Sequence, residues 1–160
     1  MSGRKDKGMW LIIIGILMIV ATTFIYVVLP NLPQSTTDLK LGDGVFRASI
    51  AANDTDRAKG LSGVTQLASN QALLMAYPSD SKWGIWMKDM KVPIDIVWLN
   101  SNKKVVYIVK NASPENSASK VFTPKSSAQY VVELPAGSVD SDAITTDTTA
   151  IFQIDTSSVK

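Results

Sequence analysis

Apolar residues follow two different patterns along this chain. Residues 9–29, MWLIIIGILMIVATTFIYVVL, are 21 consecutive positions without a charge, whereas beyond residue 38 the apolar residues come in short runs broken by Gly, Pro, Asn and Ser. The long tract predicts a helix that crosses a membrane. At about 1.5 Å per residue it spans about 31 Å, which matches a hydrocarbon core of about 30 Å. Thirteen of its residues are Leu, Ile, Phe or Val, and together they favour insertion by on the order of 5 kcal/mol. The tract runs on through Phe24, Tyr26 and Val28, longer than the apolar region of a cleaved signal peptide, so it is expected to remain as a signal anchor.

The short runs predict strands. Leu39 to Leu41 and Val45 to Ala51 flank Gly42-Asp43-Gly44, a hairpin turn signal, with Phe46, Ala48 and Ile50 on its buried face. Residues 55–60 make a short helix or helical turn, begun by Asp54-Thr55-Asp56 and stopped by Gly60. Ala72 to Tyr77 is read as a strand because it is short. Ile94 to Leu99 and Lys104 to Lys110, joined by the polar tip Asn100 to Lys103, form the clearest hairpin. Its first arm is apolar on both faces except for Asp95, which places it inside the sheet system. Tyr130 to Leu134 is a further strand ended by Pro135-Ala136-Gly137, and Ala150 to Asp155 is expected to be the last. Residues 111–127 and 138–149 read as polar loops. The expected fold is mainly β, a compact two-sheet β-sandwich or partly closed barrel with one or two short helices, preceded by a single transmembrane helix. Its expected organisation is a cytoplasmic tail over 1–8, a transmembrane signal anchor over 9–29, a linker over 30–38 and an extracytoplasmic β-rich domain over 39–157.

Charge adds the orientation. Arg4, Lys5 and Lys7 precede the tract and no charge follows it until Asp38, so the N-terminus is expected in the cytoplasm and the C-terminal domain outside a cell membrane crossed once. With the first 30 residues set aside, which hold those three cations and Asp6, the chain's 16 Lys and Arg and 14 Asp and Glu become 13 of each. The outer domain is formally neutral and its cations are scattered, which argues against nucleic-acid binding. Cysteine and histidine are both absent. Disulfides, thiolate and imidazole metal sites, thiol nucleophiles and the Ser-His-Asp triad are therefore excluded. No cofactor or metal site and no catalytic residue is assigned. Asp140, Asp142 and Asp147 lack EF-hand spacing and read as solvated loop residues.

Polar residues interrupt the apolar strands at Trp86-Met87-Lys88-Asp89, at Pro93-Ile94-Asp95 and at Glu133, with Arg57 close before Gly60-Leu61. Alternation sets Trp86 and Lys88 on one face, and Asp95 opposite Ile94, Ile96 and Trp98. A carboxylate in so apolar a hairpin is costly unless paired. Arg57 to Leu61, Ala72 to Met75, Trp86 to Met90 with Val92 to Asp95, and Ala128 to Gly137 follow one order and spacing that resembles the domain of unknown function 192 family over about residues 40–155. The resemblance implies a compact, mostly β domain, often behind a signal peptide or anchor, with no established activity. It marks Arg57, Gly60, Leu61, Trp86, Met87, Lys88, Pro93, Asp95, Glu133 and Gly137 as family motif positions. This chain departs from the family where it has Asp89 and Met90 in place of Asn and Thr, and Ala72 to Met75 in place of Gly-Met-Leu-Phe. If the Asn amide donates hydrogen bonds in a family site, an ionised Asp89 cannot.

Three readings of these residues follow. Arg57, Lys88, Asp95 and Glu133 read as a buried polar network that holds strand register. They also read, with Trp83, Trp86 and Asp89, as a cleft whose aromatic faces suit sugars or peptides. Asp95 and Glu133 further read as a carboxylate pair for glycoside hydrolysis. The leading expectation is a binding or interaction module for cell-envelope material, with membrane lipid around residues 9–29 and a cell-wall glycan, peptide or envelope protein as partner. The alternatives are a carboxylate-dependent envelope hydrolase and a structural partner of another membrane protein.

Overall fold

The computed structural model describes residues 3–23, 35–116 and 120–160, in two compact units, Met1–Gln34 and Ser35–Lys160. In the first unit, helix α1 covers Gly3–Thr23, and its large apolar side chains from Trp10 to Val20 are exposed. The helix begins inside the stretch expected to be a cytoplasmic tail. Residues 24–29 of the expected anchor and 30–34 of the expected linker lie outside the described residues. Among the described residues, no helix is long and apolar enough to cross a membrane.

The second unit is mainly β. Strands β1 (Thr36–Leu41) and β2 (Gly44–Ala51) form the expected hairpin around Gly42-Asp43, and β1 starts three residues before the expected domain boundary. Phe46 and Ala48 are buried as expected, while Ile50 is only half-buried. Next come α2 (Asp54–Lys59), β3 (Gln71–Ser81), β4 (Ile85–Trp86), β5 (Ile94–Leu99), β6 (Val105–Ala112), β7 (Val121–Phe122), β8 (Ala128–Pro135) and α3 (Ser138–Ser141). Six strands form one mixed sheet in the order β1-β2-β3-β8-β5-β6, and β4 with β7 forms a two-stranded ribbon. The β2–β3 pair is parallel. Parallel neighbours need a crossover, and this one carries α2 onto a face of the sheet. Asn53 caps the helix by accepting from the Asp56 amide, one residue before the expected cap, and Gly60 ends it at φ 51°.

The large sheet is buried on both faces, so successive residues of its inner strands enter different cores. Leu39, Leu41, Phe46, Leu74, Val97, Leu99, Val132, Leu134 and Phe152 form one. Leu61, Leu73, Met75, Met87, Met90, Ile94, Ile96, Trp98 and Val131 form the other. Strand β5 is buried at all six positions, the interior location that its two apolar faces predict.

Three sequence expectations are corrected. The sheet is not a closed barrel: its end strands β1 and β6 do not pair with each other, and among the described residues only isolated bridges from residues 149 and 151 reach them. Ala150 to Asp155 is not a strand. It has only one isolated bridge, Ile151 to Lys40 on the β1 edge, and Thr149 just before it has another, to Lys104 beside β6; neither bridge is continued into a ladder. Phe152 still turns inward, edge-on to Tyr130 at 5.2 Å. Finally, the polar segment 138–149 begins with α3, and segment 111–127 holds the end of β6 and all of β7.

Asp95 explains why α3 forms where it does. Its Oδ2 accepts from the amides of Gly137 at 3.0 Å and Val139 at 2.8 Å, and its Oδ1 accepts from Asn111 at 2.8 Å. Gly137 has no side chain with which to cap α3, so a carboxylate from β5 satisfies amides at the helix start. One fully buried side chain thus joins β5 to the end of β6 and to the β8–α3 turn. Asp95→Ala leaves three amides without their acceptor. Chemical denaturation is expected to show a loss of about 3–5 kcal/mol, and a loss under about 1 kcal/mol would mean that water replaces the carboxylate.

Candidate functional site

A cavity of about 310 Å³ opens on the face of the sheet beneath α2. Its lining comes from four places: Arg57 to Ser62 on and after α2, Met75 and Tyr77 on β3, Trp83 to Trp86 leading into and forming β4, and Glu133 on β8. Met90 and Val121 complete the rim. Alternation along β3 turns Leu73, Met75 and Tyr77 to the same face, so the strand predicted over 72–77 supplies a wall that no polar signal announced.

Glu133 is only 3% exposed. Its neighbours across the sheet are Leu73 and Ile96, and its Oε2 has no hydrogen-bond partner among the described residues. Burial pushes this carboxyl up to about 8, because no nearby donor or cation compensates the loss of water around the charged form. At neutral pH it is therefore mostly protonated and presents both a donor and an acceptor.

Arg57 is also buried, but its hydrogen bonds are directed elsewhere. Nη1 donates to the Ala76 carbonyl at 2.7 Å. Nη2 donates to Asp54 at 2.6 Å and to the Lys160 carbonyl. The guanidinium carbon lies 4.9 Å from the Tyr77 ring centre, and Tyr77 stacks on Trp83 at 4.2 Å with 10° between the planes. The three side chains form a continuous stack along one wall. Burial raises the Tyr77 hydroxyl to about 12, an effect that Arg57 opposes and Glu133 reinforces. Asp54 is 99% exposed, so its ion pair with Arg57 contributes little to stability.

Gly60 keeps space open beside Glu133. A Cβ there would lie 3.4 Å from the Met75 methyl and 3.9 Å from Glu133 Oε2, and the backbone has φ +51°, which disfavours any other residue. Trp86 is 50% exposed and Val121 57%. The two face each other across the β4–β7 ribbon and form an apolar lip at the mouth.

The predicted site residues separate into three groups. Arg57, Trp83, Trp86 and Glu133 come together around the cavity. Lys88 and Asp89 do not line it. Lys88 is exposed, with its ammonium 5.4 Å from the Trp86 ring centre. Their main-chain carbonyls hold the loop after α2: Lys88 accepts from the Ser62 hydroxyl and Asp89 from the Gly63 amide. Asp89 has φ 57°, a conformation that Asn and Asp tolerate. The family's preference for Asn there is thus explained by the backbone and needs no amide in a site. Asp95 lies on the opposite face of the sheet. It sits across from Leu134, while Glu133 sits across from Ile96, and those two apolar residues belong to different cores. Asp95 and Glu133 therefore cannot flank one bond as a hydrolytic pair. Asp95 belongs to the polar network that holds strands together, and Glu133 belongs to the cavity.

The comparisons agree with this fold. Residues 37–152 match the family DUF192, described as "Uncharacterized ACR", and the chain belongs to it. Two relatives are archaeal. The UPF0127 protein TK1120 of Thermococcus kodakarensis is 32% identical over 93 residues, covering 57% of this chain and 55% of that protein. A UPF0127 protein of Thermococcus gammatolerans is 34% identical over 97 residues, covering 58% and 59%. The matches thus span little more than half the length of either relative. Two crystal structures share the fold. One is from Sinorhizobium meliloti 1021, a protein proposed as a transcription regulator, with TM-score 0.72 and 20% identity over 76% of this chain and 97% of that one. The other is a protein of unknown function from Novosphingobium aromaticivorans, with TM-score 0.66 and 20% identity over 72% and 83%.

The Glu133 carboxyl links stability to pH. The unfolded group ionises near 4.5, whereas the folded one keeps its proton to about 8. Across that window the unfolded state binds fewer protons, so stability falls as pH rises. The loss is expected to be on the order of 4 kcal/mol between pH 4 and pH 9. Urea unfolding should show that slope in the parent chain and a much flatter one in Glu133→Gln; equal slopes would place the proton elsewhere.

Proposed function

We propose that this chain is a membrane-anchored, extracytoplasmic binding module that holds a small group of cell-envelope material in the cavity above Glu133. The observation that carries this reading is the combination of an unpartnered buried carboxyl with an aromatic wall and an open mouth. Burying such a group costs several kcal/mol unless it is hydrogen-bonded, and a ligand supplies the missing bond. A volume near 310 Å³ lies at the small end of ligand sites and suits one sugar ring or one side chain of a peptide. The exposed Trp86 and Val121 offer apolar area at the mouth.

The anchor in this proposal rests on the uncharged tract 9–29 and the cations Arg4, Lys5 and Lys7. Protease added to intact cells is expected to remove the domain from residue 35 onward; complete protection would reject the outward orientation. For the cavity, the test is thermal unfolding of the full chain against cell-wall glycans and peptides. A ligand at about 100 times its Kd stabilises the native state by about 2.7 kcal/mol. Trp86→Ala should weaken that ligand about tenfold and change stability by under about 0.5 kcal/mol, as expected at an exposed position. A panel without any shift would favour a partner protein seated on Trp86 and Val121.

A further inference from the structure

We infer that the group bound in this cavity is a protonated aliphatic amine, seated with its ammonium on the free oxygen of Glu133 and its carbon chain against the aromatic and methionine walls. The inference rests on the binding reading above and adds the chemical class of the ligand.

The first argument is the missing counter-charge. Four charged or titratable residues share the cavity with Glu133, and none of them satisfies it. Arg57 is held by the Ala76 carbonyl, Asp54 and the Lys160 carbonyl. Asp54 carries the same charge as an ionised Glu133 and is paired with Arg57. Lys59 is exposed on α2. The Tyr77 hydroxyl is directed to the Met75 sulfur at 3.7 Å. A buried carboxyl oxygen with no donor among the described residues is a group that an incoming N–H can satisfy, and an ammonium brings both donors and charge.

The second argument is the wall. Trp83 and Trp86 line the cavity with aromatic rings, Tyr77 is stacked between Arg57 and Trp83, and Met75 and Met90 present thioethers. Ring faces attract cations, and soft sulfur packs against alkyl chains of irregular shape. The rings here already do so: Arg57 lies over Tyr77 and Lys88 over Trp86. The third argument is space. The position that a Cβ on Gly60 would fill lies 3.9 Å from Glu133 Oε2, so the open volume reaches the carboxyl itself.

The proton balance gives the test. The free carboxyl titrates near 8 and an alkylamine is already protonated at pH 7. Binding therefore converts the Glu133 carboxylic acid to carboxylate and releases one proton to the buffer, with no other bond made or broken. A free alkylamine and a peptide lysine share this chemistry, so both n-butylammonium and Nα-acetyl-lysine N-methylamide are used as probes, with butyramide as the neutral counterpart. Titration calorimetry on the full chain, in two buffers of different ionisation heat, is expected to show release of about 0.9 proton per ligand at pH 7. Affinity for the cation should rise about tenfold from pH 6 to pH 7 and level off above pH 8. Tighter binding of the lysine derivative identifies a peptide source, and tighter binding of butylammonium a free amine.

Glu133→Gln should lose at least about tenfold in affinity for the cation while keeping its near-ultraviolet dichroism. The carboxyl ¹³C shift of Glu133 in the parent chain gives a readout that needs no variant: it should move to the ionised value on addition of butylammonium. An unmoved resonance at saturating amine overturns the inference. So does Glu133-dependent binding of butyramide that weakens above pH 8 with no binding of either amine, although the cavity then remains a ligand site. Absence of binding by all three probes, together with an empty glycan and peptide panel, overturns the binding reading as well.

Discussion

The architecture depends on the carboxylate of Asp95. It takes three main-chain amides from two separate parts of the chain, the end of β6 and the β8–α3 turn. No apolar side chain can replace it, because those amides point into a buried region and need an acceptor. The consequence reaches the far face of the sheet. Strand β8 is held between β3 and β5, and fastening its C-terminal turn to β5 sets the register in which Glu133 lies opposite Ile96. One residue of slip would send Glu133 into the other core and remove the floor of the cavity.

Two buried carboxyls on adjacent strands therefore have opposite roles. Asp95 is fully satisfied by the fold and joins its parts. Glu133 is unsatisfied and holds a proton to about 8. A group buried without partners weakens the fold, and such groups gather where a molecule binds something. The residues around it follow the same division. Gly60 leaves a gap beside Glu133, the Arg57 guanidinium is drawn off by three acceptors, and Trp86 stays open to solvent.

Membership of DUF192 gives these roles a wider setting. Arg57, Gly60, Leu61, Trp86 and Glu133, positions that the family resemblance marks, all line the cavity. Asp95 and Gly137, also marked, form the join between β5 and the β8–α3 turn, and Met87 is fully buried core. One motif set thus serves two physical tasks, and the solved structures of similar fold carry the same architecture at 20% identity.

Much of this was legible in the chain. Period-two alternation and turn chemistry placed the β1–β2 and β5–β6 hairpins, β3 and β8, and Gly60 marked the end of α2, because these depend on nearest neighbours along the backbone. The apolar tract and its flanking charges determined the expectation of an anchor in the same way. Tertiary structure decided the rest. Strand order, with β8 inserted between β3 and β5, depends on contacts that periodicity does not encode. That residues 149 and 151 meet the two sheet edges through isolated bridges only was likewise decided by the fold. Asp95 and Glu133 both read as costly carboxylates in apolar strands. Only the third dimension showed that three amides surround one and a cavity faces the other, since solvation is a property of neighbours brought together by the fold.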